Sequence, residues 1–528
     1  MDRLKELEKQ LRQGTISRRD FLGAASVLGL TAALTPSALV GRAFADTPKQ
    51  GGRLRIGITG GQTTDTLDIA TITGLMMSNV SFQIRNNLVE IDNDSNAVPE
   101  LAETMEPSAD AKTWVFKLRK GVEFHNGKTL KAEDVIYSLN HHRKEDSKSA
   151  AKALLEPIES IKADGEYTVI IELKSGNASL PFLLSDYHLG IVPANTTDFS
   201  DGMGTGPYQM VAFEPGVRCL TKRNPNYWKK GRGHFDEVET LNINDVTART
   251  SALQTKQLDV MQMVDLKTVH LLKKAPGIQV VEAVGTAHMT IPMLADTAPF
   301  TDNNLRLAMK YAIDREAILK TIYRGYGMVG NDHPISPANR YYAADLPARE
   351  YDPEKAKFYL KKAGMENQTF DLHAADIVYP GTVDIAVLFK EHAAKAGINI
   401  NVVRDANDGY WKDIWMKKPF CFSYWYGRPA EDQMFSTTYT KGAAWNESHW
   451  SDERFDKLLV AARAELDEAK RRDMYVEMQR LVRDDGSVII PVFLSYVFAA
   501  SSNLKFDKVS GIYDLDGARL AERWWYES

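Results

Sequence analysis

The sequence predicts a mixed α/β architecture divided into two or three domains. Three observations lead there. The 528-residue chain leaves 483 residues once 1–45 are set aside as a leader, more than one hydrophobic core usually supports. Stretches with apolar residues at period two are interleaved with stretches of helical period along the whole length. A strand–helix–strand unit near residues 370–403 favours a parallel pair, the mark of α/β folds.

The leader comes first. Ser17-Arg18-Arg19-Asp20-Phe21-Leu22 precedes a weakly apolar run from Gly23 to Val40 and an Ala43-Phe44-Ala45 exit site. A twin-arginine pair, a modest hydrophobic segment and an A-x-A site make an export signal of the twin-arginine type. Thr31, Thr35, Pro36 and Ser37 interrupt the run, which falls short of the roughly 20 apolar residues of a membrane span. Cleavage after Ala45 is expected, with no nearby cysteine to carry a lipid and a soluble periplasmic product. Residues 1–45 hold seven basic and four acidic side chains, so the remainder is near −8 against −5 for the whole chain. That mild acidity gives no footprint for nucleic acid. Cys219 and Cys421 are expected to be free, buried thiols. The eleven histidines show no HExxH or similar ligand spacing, and no metal or cofactor is expected.

In chain order, Leu54, Ile56 and Ile58 alternate as a strand that runs into a small, polar loop over 59–68. Trp114, Phe116 and Leu118 form a half-buried strand, and Asn126-Gly127 a tight turn. Thr129 is read as the N-cap of a helix over 132–141. Tyr167, Val169, Ile171 and Leu173 alternate again, and Gly204-Thr205-Gly206-Pro207-Tyr208 reads as a turn because no Lys-Ser/Thr follows its glycines. A helix over 246–257 and a strand over 278–284 follow. Asp302, Asp314 and Asp352-Pro353 are N-terminal signals for three helices, the last stopped by Gly364. Phe455, Leu458, Leu459, Ala462 and Leu466 predict another amphipathic helix, 487–494 a buried strand, and 496–528 returning strands.

One stretch stands out chemically. Residues 420–450 contain nine aromatics where the 9% average predicts about three. In Trp425-Tyr426-Gly427-Arg428-Pro429-Ala430-Glu431-Asp432 charges sit beside rings on a turn-forming backbone. This suits a small-molecule pocket, and equally a core strand followed by an edge loop.

Several segments carry a resemblance. Trp114-Val115-Phe116-Lys117-Leu118-Arg119-Lys120-Gly121-Val122-Glu123-Phe124-His125-Asn126-Gly127 and Ala132-Glu133-Asp134-Val135 are similar to signatures of the peptide-type (family 5, dipeptide/oligopeptide/nickel-like) solute-binding proteins of ABC importers. So are Gly204–Tyr208, Arg223-Asn224-Pro225-Asn226-Tyr227-Trp228, 305–318 and Tyr351-Asp352-Pro353-Glu354-Lys355-Ala356. They follow the family's order. The resemblance implies a two-lobed periplasmic-binding-protein-like α/β fold that closes by a hinge, is not an enzyme and uses no cofactor. Lobe I would be 46–288, with an extra subdomain over about 86–199, and 499–528 returning to it. Lobe II would be 289–498. The hinge would be two segments, near 286–293 and 494–502. The implied partners are a small-molecule ligand and an inner-membrane ABC permease, with the protein itself a monomer.

Peptide-binding members carry Trp-x-Gly-Asp in lobe II, the Asp pairing with the peptide ammonium, and a Phe ten residues after the Trp. Here Trp425 and Phe435 keep the spacing, but the Asp position holds Arg428. A guanidinium reverses the counter-charge expected on the ligand. The expected site is therefore Arg428 and Gly427, with Trp425, Tyr426 and Trp445 stacking on the solute. Glu431 and Asp432 would either neutralise Arg428 or meet a cationic ligand group. Thr63, Thr64 and His288 are assigned to the opposite wall. Three alternatives stand beside this anion-binding reading: ordinary di- or oligopeptides held by Glu431 or Asp432, metal-chelate or haem capture through His288, His333 and His449, and a secreted hydrolase. No Gly-x-Ser-x-Gly elbow supports the last.

Overall fold

The computed structural model describes residues 48–527; the leader expected over 1–45 lies outside the described residues. Chain contacts divide the described residues into a large unit, 51–524, and a small one that includes 48–50 and 525–527. In the small unit, Lys49 and Tyr526 form an antiparallel bridge. No helix among the described residues is long and apolar enough to cross a membrane.

The large unit is built on a ten-stranded mixed sheet. Its main path runs Ser423–Trp425, Ile278–Pro292, Val492–Ser501, Val260–Met261, Arg53–Ile58, Glu237–Asn242, Arg218–Arg223, Tyr208–Glu214. Arg53–Ile58 is parallel to both its neighbours, and the other pairings are antiparallel. Ile278–Pro292 is the longest strand, at 15 residues. Its first half pairs with Val492–Ser501, the register shifts between Val284 and His288, and its second half pairs with Ser423–Trp425. The sequence predicted a strand only to 284 because Gly285, Thr286 and His288 break the apolar alternation. Burial of the whole second half supplies the missing stabilisation.

A four-stranded antiparallel sheet, Ala102–Pro107, Thr113–Leu118, Thr168–Leu173 and Ile158–Ala163, forms a separate layer. Trp114, Phe116, Leu118, Val169 and Ile171 turn inward against Val135 and Leu139 of the helix Ala132–Arg143. Each such side chain contributes about 1.5–3 kcal/mol by leaving water. The helix is capped differently from expectation. Its N-cap is Lys131, whose N–H donates to Asp134 Oδ2 at 2.9 Å, and Thr129 lies outside it.

The strand–helix–strand unit is present as Thr369–Ala374, Thr382–Ala394 and Asn399–Arg404, with the two strands parallel. Asp302, Asp314 and Asp352 each accept a first-turn backbone N–H of their helices. Two predictions near the C-terminus fail. The strand predicted over 487–494 splits at Pro491, which donates no ladder bond, into Val488–Ile489 and Val492–Ser501. The segment after 501 is mostly not strand: a left-handed turn at Asp514–Gly517 and a short helix Leu520–Arg523 occupy it. Cys219 and Cys421 are both free and buried, and burial raises the Cys219 thiol to about 12.

Candidate ligand-binding site

Ser423–Trp425 is the edge strand of the main sheet, with Trp425 opposite His288. It delivers the backbone to Tyr426, after which Gly427 passes close to the crossing strand. A Cβ on Gly427 would stand 1.8 Å from Thr286 Oγ1, so only glycine fits. Pro429 then precedes the helix Glu431–Thr438.

This geometry decides what happens to Arg428. Glu431 and Asp432 occupy the first helical turn, where negative charge suits the helix dipole, and both have other partners. Glu431 Oε1 accepts the Tyr341 N–H at 2.7 Å, and burial raises its carboxyl. Asp432 pairs with Arg463 at 2.9 Å. The expectation that one of them neutralises Arg428 is not met. Arg428 is half-buried; its Nη1 donates to the Tyr426 carbonyl at 3.0 Å, and among the described residues no carboxylate pairs with it. Its carbonyl accepts from Asn339 Nδ2 at 3.1 Å, which fixes the turn.

Rings surround this turn. Trp425 is buried as the end of the strand and belongs to the core with Phe435 and Tyr475, so it is not the open stacking surface expected. Tyr426 and Trp445 are the exposed rings, at 59% and 49%. A continuous wall links Tyr379, Tyr424, Trp411, Trp415, Trp425 and Trp445 through ring-centroid distances of 5.8–6.3 Å, with Tyr426 5.2 Å from Tyr424. Beneath it, buried Glu447 accepts from Trp415 Nε1 and Thr290 Oγ1, each at 2.7 Å. Burial raises the Glu447 carboxyl; those bonds and the nearby Ser423 and Trp425 donors oppose the rise.

Tyr187, Tyr496 and Tyr513 were not foreseen, because their segments lie far apart in sequence. Tyr187 and Tyr513 meet edge-on at 6.4 Å. Burial and then Asp186 push both hydroxyls up, while the Arg428 charge opposes. Tyr496 and Tyr379 are raised by burial, with Tyr426 and Asp514 adding to both. Arg428 thus acts on Tyr187 and Tyr513, Asp514 acts on Tyr379 and Tyr496, and Tyr513 couples the two pairs through Tyr496. Elsewhere along the chain, the Ala178 N–H donates to the Arg463 carbonyl, and Arg471 donates to Ser179.

Of the three residues assigned to the opposite wall, Thr63 and Thr64 lie apart from this turn, while His288 is the strand partner of Trp425. Thr63 and Thr64 are exposed in a turn against the Gly216 hairpin, toward the end of the sheet opposite Ser423–Trp425. His288 is buried, its Nδ1 3.1 Å from the Thr286 carbonyl, its ring against Phe493, and burial lowers it to about 4. The other histidines considered for a chelate differ from one another. His333 is buried and His449 pairs with Asp296 at 3.0 Å. Glu90, Glu100 and Glu522 have metal-like spacing but already hold the Lys229 ammonium at 2.6, 2.6 and 3.0 Å.

The profile of the bacterial extracellular solute-binding proteins, family 5, matches residues 96–447. The dipeptide-binding protein of Escherichia coli is 28% identical over 461 residues, covering 78% of this chain and 83% of that one. Heme-binding protein A of Haemophilus influenzae is 26% identical, covering 82% and 85%. The solved structure of AgaA from A. tumefaciens with agropinic acid superposes with a TM-score of 0.72 at 25% identity, covering 90% of this chain and 99% of that one. The two-lobed fold, the ordered motifs and the match over most of the chain agree: this protein belongs to the family 5 extracellular solute-binding proteins, the non-enzymatic substrate-binding components of ABC importers.

Proposed function

We propose that the chain captures a small, polar, carboxylate-bearing solute between its lobes. The solute would be an opine-like conjugate or an acidic or blocked peptide, handed on to the inner-membrane permease. One observation carries this reading: Arg428 stands at the turn of the aromatic wall without an acid partner among the described residues, because Glu431 and Asp432 are engaged by Tyr341 and Arg463. A guanidinium in a closing cleft needs a counter-charge, since leaving it unpaired costs several kcal/mol. The ligand supplies it. Tyr426 and Trp445 offer ring faces to the rest of the solute. The likeness to AgaA, whose structure holds agropinic acid, supports the same class.

In this reading lobe I is 46–288 with 499–528, lobe II is 289–498, and the hinge is the two segments near 286–293 and 494–502, which run along the paired strands Ile278–Pro292 and Val492–Ser501. Ligand shifts the open–closed equilibrium, and the permease recognises the closed form. Twin-arginine export and a monomer at work in the periplasm complete the proposal.

The test is a thermal-shift panel of opines, sugar acids and unmodified dipeptides, since binding to the folded state alone raises Tm. The carboxylate-rich compounds are expected to raise Tm for the wild type and to lose that effect with Arg428→Asp. A Tm shift from dipeptides alone, undiminished in Arg428→Asp, would overturn the reading.

A further inference from the structure

The segment after Ser510 is fixed hard against the crossing strand. A Cβ on Gly511 would fall 1.8 Å from the Val284 carbonyl oxygen, and the turn Asp514–Gly517 packs on both Ile278–Pro292 and Val492–Ser501. Within it Leu515, Asp516 and Ala518 have φ of 54°, 60° and 61°, left-handed conformations that residues with a Cβ seldom adopt. Such conformations persist only when the surroundings impose them, and they concentrate at functional sites.

The two acids of this turn are treated differently. Asp516 holds the turn: it accepts from Ser510 N at 2.8 Å and Trp524 Nε1 at 3.1 Å, and pairs with Arg523 at 3.2 Å. Asp514 has no such counter-ion. It is 5% exposed and accepts the Leu515 N–H at 2.8 Å and the Gln262 side-chain amide. The nearest cation, Arg249, spends its guanidinium on the carbonyls of Gln262, Ile243, Asn244 and Met263. No ion pair reaches Asp514 among the described residues. The other acid near these tyrosines, Asp186, is occupied by His188 at 2.6 Å. Asp514 directly follows Tyr513, on which Arg428 acts, and itself acts on Tyr379 and Tyr496.

We propose that Asp514 is the second charged anchor of the cleft, receiving a cationic nitrogen of the solute while Arg428 holds its carboxylate. The ligand is then a zwitterion, an amino acid conjugate with a free primary or secondary ammonium group. The inference rests on the anion-binding reading of Arg428 and adds the opposite pole. In this chain, which has Arg428 where peptide-binding members have an ammonium-binding aspartate, the acid for an amine would come from the hinge side. Burial, the largest influence, raises the Asp514 carboxyl to about 6, consistent with an anion that gains a partner only when the cleft is filled.

Calorimetry with three probe sets on the wild type, Asp514→Asn and Arg428→Met tests this. The sets are N-(carboxyalkyl) amino acids with a free secondary ammonium, their N-acetyl counterparts, and sugar acids. The ammonium compounds are expected to bind the wild type and to lose roughly 10- to 100-fold with Asp514→Asn, the range for a charged hydrogen bond. The N-acetyl compounds and sugar acids should bind more weakly and respond to Arg428→Met alone. Loss with Arg428→Met but not with Asp514→Asn overturns the Asp514 anchor and leaves the anion site standing. No binding of any probe to the wild type overturns both. The Tm of unliganded Asp514→Asn at pH 8 separates folding from recognition: a rise marks an uncompensated carboxylate, and a fall marks a structural one and overturns the proposal.

Discussion

Two groups of charge in this protein follow opposite rules. One joins Glu90, Glu100 and Glu522 to Lys229, Arg519 and Arg523, three anions with three cations at 2.6–3.0 Å. Burial alone would raise Glu522, but the Lys229 and Arg519 cations overrule it and hold the carboxyl at about 2. The other comprises Arg428 and Asp514, which the proposed reading assigns to the cleft and which have no ion-pair partner among the described residues. Complete pairing makes a network that fixes the fold and has no use for a ligand. In the proposed reading, the deficit carried by the buried, unpaired Asp514 carboxylate is removed by an incoming solute of opposite charge.

The sharpest way to break this contrast is Lys229→Met. It leaves three carboxylates around an apolar side chain and should cost about 3–5 kcal/mol, read as a large drop in Tm or loss of soluble protein. Arg428→Met should change the unliganded Tm little, since the guanidinium has no ion pair to lose.

Asp514 should act with the opposite sign. Its folded carboxyl is raised from 3.8 to about 6, so the ionised form is disfavoured in the empty protein. The penalty is absent below the unfolded value and fully present above about pH 6. Asp514→Asn should therefore stabilise the empty protein by roughly 1–3 kcal/mol at pH 8 and by nothing at pH 3.5. Solute affinity should weaken as pH falls through about 6. The groups facing Asp514 are Gln262, Arg249, Tyr379 and Tyr496. A flat affinity between pH 5 and 8 would mean that its charge is not used.

The sequence made local features legible and distant ones not. Asp302, Asp314 and Asp352 are caps because each meets a backbone N–H two or three residues on, a contact the sequence itself specifies. Trp114, Phe116 and Leu118 betray their strand by alternation. The helix Glu468–Asp484 went unread because it is densely charged, and only Tyr475, Met478, Gln479 and Val482 mark its inner face amid EAKRRDMYVEMQRLVRD. At the site, Arg428 and its rings could be located from the Trp425–Phe435 spacing. The partners of Glu431 and Asp432 could not, since Tyr341 and Arg463 lie 90 and 31 residues away. Asp514 was invisible for the same reason: its left-handed turn is imposed by strands more than ten residues off, and its own sequence suggests only a loop.

Two smaller substitutions sharpen the account of the cleft wall. Gly427→Ala forces a methyl into Thr286 Oγ1 at 1.8 Å and should cost about 1–3 kcal/mol. It should also displace Arg428, so affinity falls further than stability, compared by calorimetry and thermal melts. Trp445→Ala removes one exposed ring face and should weaken solute binding only about 3- to 10-fold with Tm unchanged.

The most direct test of Arg428 as an anion anchor is native mass spectrometry of whatever solute the wild type and Arg428→Met retain when purified side by side. The account predicts a carboxylate-bearing solute, carrying a basic nitrogen as well, on the wild type and none on the variant. The same solute on both proteins, or a haem or a solute without an acidic group on the wild type, would contradict it.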